Sequence, residues 1–355
     1  APMFSRLSHS LLRSQQLGLL AVLVVLGAAL TLAAGSHPDP LTGQTVNNFL
    51  NAHTLIQMAT DASSFAIMGV GATIVIISGG IDLSVGAIYA LAGVAMAMIL
   101  RAAGPMDPGA TLLLGFGTCI AVSLLCGLAN GTMVIGLGVH PFIITLGTMW
   151  MLRGVAFVIS RAESILVPSA LTSVAKAPLG LGTALYPVPL IVMLAVTIAG
   201  SVYLRRTVMG RHIFAIGGNV EASRFSGLNV NRIKLGVFVL SGLAAGIAAF
   251  LGAAFYGSAT SSDANGYELY VIASAVVGGA SLTGGKGSAV SAMLGAVLIV
   301  MIRQAIRTLH LDQNYEWIII GGAMILAVVL DQGGTKLVAR RLASVAGPPR
   351  AANQP

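Results

Sequence analysis

The chain is 355 residues long, with 56 % of its residues hydrophobic and 8 % charged, and its mean hydropathy is +0.91. A soluble domain carries about 25 % charged residues, so the composition excludes a soluble enzyme or binding module and points to a polytopic membrane protein. The formal charge of +8 invites a nucleic-acid partner, but its placement along the chain follows membrane topology instead.

Arg6 and Arg13 precede the apolar run 17–34, which closes in the small residues Ala33, Ala34 and Gly35. A cleavable signal peptide has the same look. The near-full membrane length of the run and the spans that follow favour a retained first span. Residues 36–64 are polar, with Pro38 and Pro40 and no Lys or Arg, and the part near 48–58 suits a short surface helix. Spans two and three are expected at 65–78 and 84–101, parted by Gly79-Gly80-Ile81-Asp82-Leu83-Ser84-Val85-Gly86. Adjacent glycines cost roughly 1 kcal/mol each in a helix. Asp82 and Ser84 then offer oxygens where a new helix needs its first amides capped. Non-helical backbone at membrane depth is tolerated only where it is packed in protein or lines water, so this break is the first pointer to the working part.

Pro105 and Pro108 mark a turn before span four, 110–135. Pro141 opens span five, 141–159, at the first-turn position that proline suits. A longer connection, 161–185, leads to span six, 186–204; the most basic segment, 205–234, precedes span seven, 235–255. After a polar loop through Asn265, spans eight and nine, 269–281 and 288–303, flank a second glycine cluster at 278–285, and span ten is expected at 317–330. Cys119 and Cys126 lie seven residues apart in one apolar segment. A disulfide within a regular helix does not fit there and no metal spacing accompanies them, so they read as packing residues.

Ten spans put both termini on one side. Arg6, Arg13, Arg205, Arg206, Arg211, Arg224, Arg232, Lys234, Lys286, Lys336, Arg340, Arg341 and Arg350 fall on that side, against Arg101, Arg161, Lys176, Arg303 and Arg307 on the other. The acids lean the opposite way, with Asp39, Asp61, Asp107, Glu163, Asp263, Glu268, Asp312 and Glu316 across from the termini. By the positive-inside rule both termini are expected to be cytoplasmic. The first glycine motif also echoes Gly278-Gly279-Ala280-Ser281-Leu282-Thr283-Gly284-Gly285 when Gly79 is set on Gly278. Broken helices at corresponding positions of internal repeats are a transporter feature; glycine-rich membrane sequence also matches itself by chance.

Asp82 is the one carboxylate well inside an apolar stretch, and such a residue is a functional-site candidate by default. Its bland alternative is a cap for the helix that begins near Ser84. Arg153, past the middle of span five, must pair, line water or snorkel outward, and Asp82 is one partner open to it. Asn130, Thr145 and Thr148 suit interhelical hydrogen bonds as well as a polar path. Gly284-Gly285-Lys286-Gly287-Ser288 invites a phosphate-loop reading that fails: the pattern needs glycine at Ala280 and Ser or Thr at Gly287. Residues 205–234 need only the positive-inside rule, yet glycines punctuate them, and 220–225 suits a short surface helix that a cytosolic motor would push against.

An ordered set of motifs then carries a resemblance. It runs through Ser78–Gly86, Asn130-Gly131, Pro141–Thr148, Arg153-Gly154, Gly210-Arg211, Ala215–Asn219, Ala222, Ser226-Gly227, Tyr267-Glu268-Leu269, Ile272-Ala273, Gly278-Gly279, Ser281-Leu282 and Gly284–Gly287. In these the chain resembles the membrane permease of bacterial ATP-binding-cassette importers of monosaccharides, the ribose, arabinose, xylose and galactose group. The resemblance implies an all-helical inner-membrane permease without a cofactor or catalytic site. It would pair with a second copy or a close homologue, above two cytosolic ATPases and below a periplasmic sugar-binding protein. It also implies coupling to the ATPases through Gly210, Arg211, Gly217, Gly218, Asn219, Glu221, Ala222 and Gly227. The path would run near the glycine breaks, with Asp82, Ser84, Asn130, Thr145, Thr148 and Arg153 as candidates. Tyr270 and Ala280 depart from the usual pattern, which often has a polar or acidic residue and Thr there. Other cargoes stay open, among them branched-chain amino acids, an autoinducer and nucleosides. An ion-coupled transporter would carry more intramembrane ionisable residues than Asp82 and Arg153. An intramembrane enzyme would need a nucleophile–base pair or a ligand cluster, and the sequence offers neither.

Overall fold

A computed structural model describes residues 2–38, 43–179, 185–326 and 329, with backbone only for 2–15. The chain runs α1 (Pro2–Ala33), β1 (Ser36–Pro38), β2 (Thr45–Asn47), α2 (Ala52–Ile77), α3 (Val85–Ala103), α4 (Pro108–Leu137) and α5 (Pro141–Ser160). It continues through β3 (Ile165–Leu166), α6 (Ser169–Ala175), α7 (Val188–Arg206), α8 (Val208–Gly218), α9 (Val220–Phe225), α10 (Val230–Tyr256) and β4 (Ser258–Ala259). Last come α11 (Tyr267–Val277), α12 (Ala289–Thr308) and α13 (Tyr315–Leu326). Among the described residues, eight helices (α1 from Gln16, α2, α3, α4, α5, α7, α10 and α12) are long and apolar enough to cross a membrane; α11 and α13 are apolar but shorter. The all-helical, glycine-broken architecture expected from composition is therefore the one observed. Two antiparallel pairs, β1 with β2 and β3 with β4, are the strands among the described residues.

Helix α2 is the axis of the bundle. Nearly all of it from Ala62 onward is buried, whereas α1, α4, α5 and α7 turn much of their apolar surface outward. Close approach, rather than bulky packing, joins its neighbours. Ser123 and Gly127 of α4 face Gly242 and Gly246 of α10 at four-residue intervals, and Gly131, one turn further on, faces Leu235. A Cβ on Gly127 would stand 2.5 Å from the Phe238 carbonyl oxygen, and one on Gly242 2.4 Å from that of Ser123. Small residues at this spacing let backbones touch where lipid gives no hydrophobic drive to association. Cys119, fully buried, and Cys126, nearly so, pack in the same region as free thiols.

Several expected boundaries shift. Span two begins not at 65 but at Ala52, so the surface helix expected near 48–58 is mostly the first turns of α2. Asn51 caps it by accepting from the Thr54 amide at 2.8 Å, and Asp61 meets Arg307 of α12 at 3.6 Å, so polar residues extend the helix beyond its apolar part. The 161–185 connection folds into β3 and α6, with β3 laddered onto β4. Span eight shrinks to α11, whose 11 residues reach ~16 Å, about half of a ~30 Å apolar layer. The end of the 317–330 span lies outside the described residues, as do Asp39, Pro40, Lys336, Arg340, Arg341 and Arg350.

The two glycine breaks share one backbone geometry, in a register one residue away from the sequence alignment. At the first, the amides of Gly79 and Gly80 donate to Ile76 and Val75; at the second, those of Gly279 and Ala280 donate to Val276 and Ala275. Gly79 at φ 83° and Gly279 at φ 90° supply the left-handed residue of a Schellman helix end. The equivalent of Gly79 is thus Gly279, not Gly278, because a helix end is set by which residue takes positive φ. Side-chain likeness plays no part in it.

Candidate functional site

The first break gathers four of the predicted polar residues. Asp82, 1 % exposed, accepts at Oδ1 from the Ser84 amide (3.0 Å) and hydroxyl (2.6 Å), and at Oδ2 from the Ser241 hydroxyl (2.8 Å). The Ser84 hydroxyl in turn accepts from Asn130 Nδ2 at 2.7 Å, and Thr145 donates to the Ile81 carbonyl at 3.1 Å and to its own helix at Pro141. Asn130 Oδ1 is buried without a partner. Thr148 stands apart from this group and donates to the Thr145 carbonyl of its own helix. Asp82 therefore ties α3 and α10 to the break, with Asn130 of α4 joined through the Ser84 hydroxyl and Thr145 of α5 through the Ile81 carbonyl. Ser84 is the N-cap of α3 and makes no side-chain cap bond, while Asp82 holds the amide before it.

These bonds predict a graded pair of variants. Asp82→Ala leaves the Ser84 amide without an acceptor in a buried place and is expected to destabilise by ~1–3 kcal/mol. Asp82→Asn keeps an acceptor there and should lose less. Melting of the purified permease in detergent orders the two, and equal loss would speak for the charge rather than the hydrogen bonds.

Arg153 does not pair with Asp82. Its Nη1 donates to the carbonyls of Ser261 (2.8 Å) and Asp263 (2.6 Å), and its Nη2 to that of Ala264 (3.2 Å). The Asp263 carboxylate is turned to its own loop, taking the Thr260 amide and hydroxyl at 2.8 Å each. Arg153 lies seven residues, ~10 Å, before the Ser160 end of α5, the end that leads into β3 and its ladder with β4, so the loop it grips folds back into the bundle. Gly86, at the start of α3, lies against the same place. A Cβ there would stand 2.6 Å from the Ala264 carbonyl oxygen, 2.6 Å from Glu268 Oε2 and 3.6 Å from Arg153 Nη2. The polar loop expected outside the bundle thus reaches into it, to where α3 and α11 both begin. Glu268, counted by sequence among the outer acids, is 8 % exposed, and its Oε2 has no hydrogen-bond partner. The sequence marks it only as part of Tyr267-Glu268-Leu269, one of the motifs that carry the resemblance, at the head of a short apolar run.

The basic segment forms α8 and α9. Ile213 and Ile216 of α8 are fully buried against α2, α7 and α10, while Arg211, Gly218, Asn219, Glu221, Ala222 and Gly227 are exposed. Gly210 is buried because a Cβ there would meet the Leu204 carbonyl oxygen at 2.4 Å. Asn219 separates the two helices and accepts from the Ala222 amide at 2.9 Å. Glu221 and Arg224 form an exposed pair at 3.9 Å, worth little by itself. Phe225, 90 % exposed at the end of α9, is an apolar residue in a polar segment that the motif reading passed over. Gly217 joins this pair of helices to the breaks. The Gly285 amide donates to the Ile77 carbonyl at 2.8 Å, and a Cβ on Gly217 would stand 1.7 Å from that carbonyl oxygen and 2.5 Å from the Gly285 nitrogen. Among the described residues no group of acidic, histidine or cysteine side chains is arranged to hold a metal ion.

A family described as branched-chain amino acid transport system / permease component matches residues 54–328. The D-allose transport system permease protein AlsC of Escherichia coli K12 is 37 % identical over 286 residues, 80 % of this chain and 85 % of that one. The ribose import permease protein RbsC of the same strain is 34 % identical over 318 residues, 89 % of this chain and 93 % of that one. The autoinducer 2 import system permease protein LsrD of Yersinia enterocolitica is 31 % identical over 313 residues, covering 86 % and 90 %.

Proposed function

This chain belongs to the branched-chain amino acid transport system permease family, and from that premise we propose that it is the multi-pass membrane subunit of an ATP-binding-cassette importer that carries a monosaccharide into the cell. The observation that carries the mechanism is the seating of α8, through Gly217, on the backbone of both glycine breaks. It works in the inner membrane, with both termini and the α8–α9 segment on the cytoplasmic side. Two permease copies, or this chain and a close homologue, stand over two ATPases and take sugar from a periplasmic binding protein. ATP hydrolysis belongs to the ATPase partners. Movement of α9 on an ATPase surface, with the exposed Phe225 and the Asn219–Gly227 turn as contact, shifts α8 and with it the ends of α2 and α11. The path opens alternately to either side past the polar residues at the first break. Affinity resides mainly in the binding protein, and a weakly polar path suffices, which suits the scarcity of charge in these helices.

The family's description names branched-chain amino acids, whereas the relatives compared above are named for allose, ribose and autoinducer 2. Sugar is the cargo favoured by those identities. The test is uptake into proteoliposomes holding the permease with its genomic-neighbour ATPase and binding protein, using labelled D-ribose, D-allose, D-fructose and L-leucine. ATP-dependent uptake of one sugar is the expected result. Uptake of leucine alone would change the cargo, and uptake driven by an ion gradient without ATPase would overturn the importer itself.

A further inference from the structure

We propose that Glu268 is a substrate-contacting residue of this permease, its Oε2 accepting a hydrogen bond from one hydroxyl of the sugar where α3 and α11 meet inside the bundle. The inference rests on the sugar-importer reading above and adds the point of contact.

Four observations carry it. Glu268 is buried, yet Oε2 is left without a donor; buried acceptors are almost always paired, and an exception calls for an explanation. Its nearest cation does not supply one: Arg153 is engaged by three loop carbonyls and forms no ion pair with the carboxylate. The orphan oxygen lies at the interior end of two helices, against Gly86 at the start of α3, and broken helices that begin inside a membrane bundle are where transporters hold polar cargo. Aromatic rings pack at the same ends of α3 and α11. The Tyr267 ring lies 4.5 Å from Phe65 and 6.3 Å from Tyr89, which is one turn from Gly86 on the same face of α3. Apolar ring faces with one or two convergent polar groups are the ordinary make-up of a small-molecule site, and a sugar brings both hydroxyl donors and C–H faces. A bare cation would meet the Arg153 charge at the same glycine, and an anion would face the carboxylate. A neutral polyol is the ligand class left.

The test uses the full importer in proteoliposomes, with binding protein present at saturating, fully loaded concentration so that the permease step is read. Of D-ribose, D-allose and D-fructose, the sugar imported fastest by the wild type is compared with its monodeoxy analogues, in wild type, Glu268→Ala and Glu268→Gln. The wild type should import one analogue at least about tenfold more slowly than the parent, since a site built to bond a hydroxyl rejects the molecule lacking it. Glu268→Ala should slow the parent by a similar factor and slow that one analogue no further, the non-additivity that marks a direct pair. A common factor for the parent and every analogue, or no change at all, would overturn the proposal, because a purely structural carboxylate has no preference among hydroxyls. Glu268→Gln keeps the shape of the side chain and carries the same comparison if the alanine variant fails to assemble. If the wild type imports none of the three sugars, the cargo reading fails and this inference falls with it; if it imports one and the cycle is additive, only the inference falls.

Discussion

Gly217→Ala is expected to lower coupled uptake by at least about tenfold and to lower the melting temperature of the isolated permease. The methyl group has nowhere to go: a Cβ at this position would stand 1.7 Å from the Ile77 carbonyl oxygen and 2.5 Å from the Gly285 amide nitrogen. Both are backbone atoms, and they are bonded to each other at 2.8 Å. A flexible side chain would swing aside, but here α8 must lift from α2 or the Ile77–Gly285 bond must break. Overpacking of this kind costs typically ~1–3 kcal/mol, and a backbone obstacle puts the expected value at the upper end. Gly218 is the matched comparison. Among the described residues, nothing beyond its own stretch of helix lies within 4 Å of the Cβ it would gain, so Gly218→Ala is expected to leave the stability of the isolated permease unchanged, and any loss of uptake there reports on a partner surface. Wild-type uptake and melting in Gly217→Ala would show that the backbone seat is dispensable and that α9 acts on the bundle by another route.

The second large effect is expected at Arg153. Arg153→Ala removes the donor for three carbonyls, of which those of Ser261 and Ala264 belong to buried residues. Each acceptor left unpaired away from water costs ~1–3 kcal/mol, so the variant should lose on the order of 3 kcal/mol or more. The loop 260–266 should then lift from Gly86. A cysteine placed at Ala264, 6 % exposed in the native fold, reads this directly: protected from thiol reagents with Arg153 present, labelled rapidly with Arg153→Ala. The native thiols, Cys119 and Cys126, are buried and give a low background. Arg153→Lys is expected to rescue little, because an ammonium lacks the planar fork that reaches the carbonyls of Ser261, Asp263 and Ala264 from one side chain. Full protection of the cysteine in Arg153→Ala would mean that the loop is held by its own turns, Asp263 on Thr260 among them.

Hydropathy, charge placement and glycine pairs are local properties, and what they determine was legible without a structure. They place the membrane helices to within a few residues for α3, α4, α5, α7 and α10. They locate both helix breaks, and the ordered motifs identify the importer family. Composition did not give the first turns of α2, because the polar residues from Ala52 to Asp61 are carried by a capping Asn51 and by Arg307, which is 246 residues away from Asp61 in sequence. The alignment of the two breaks slipped by one residue because it matched side chains, where the fold matches positive φ at Gly79 and Gly279.

Contacts across the bundle belong to the tertiary structure alone. Arg153 finds its acceptors 108 to 111 residues away, Asp82 finds Ser241 at a separation of 159, and Gly217 is wedged between Ile77 and Gly285. The physical reason is the apolar solvent. In a water-soluble protein the apolar stripe of each helix declares which face turns inward, but a membrane helix is apolar all round and its sequence period says little about its neighbours. Packing of small residues and pairing of the few polar groups then choose the partners, and those choices put Glu268 inside the bundle rather than on its outer rim.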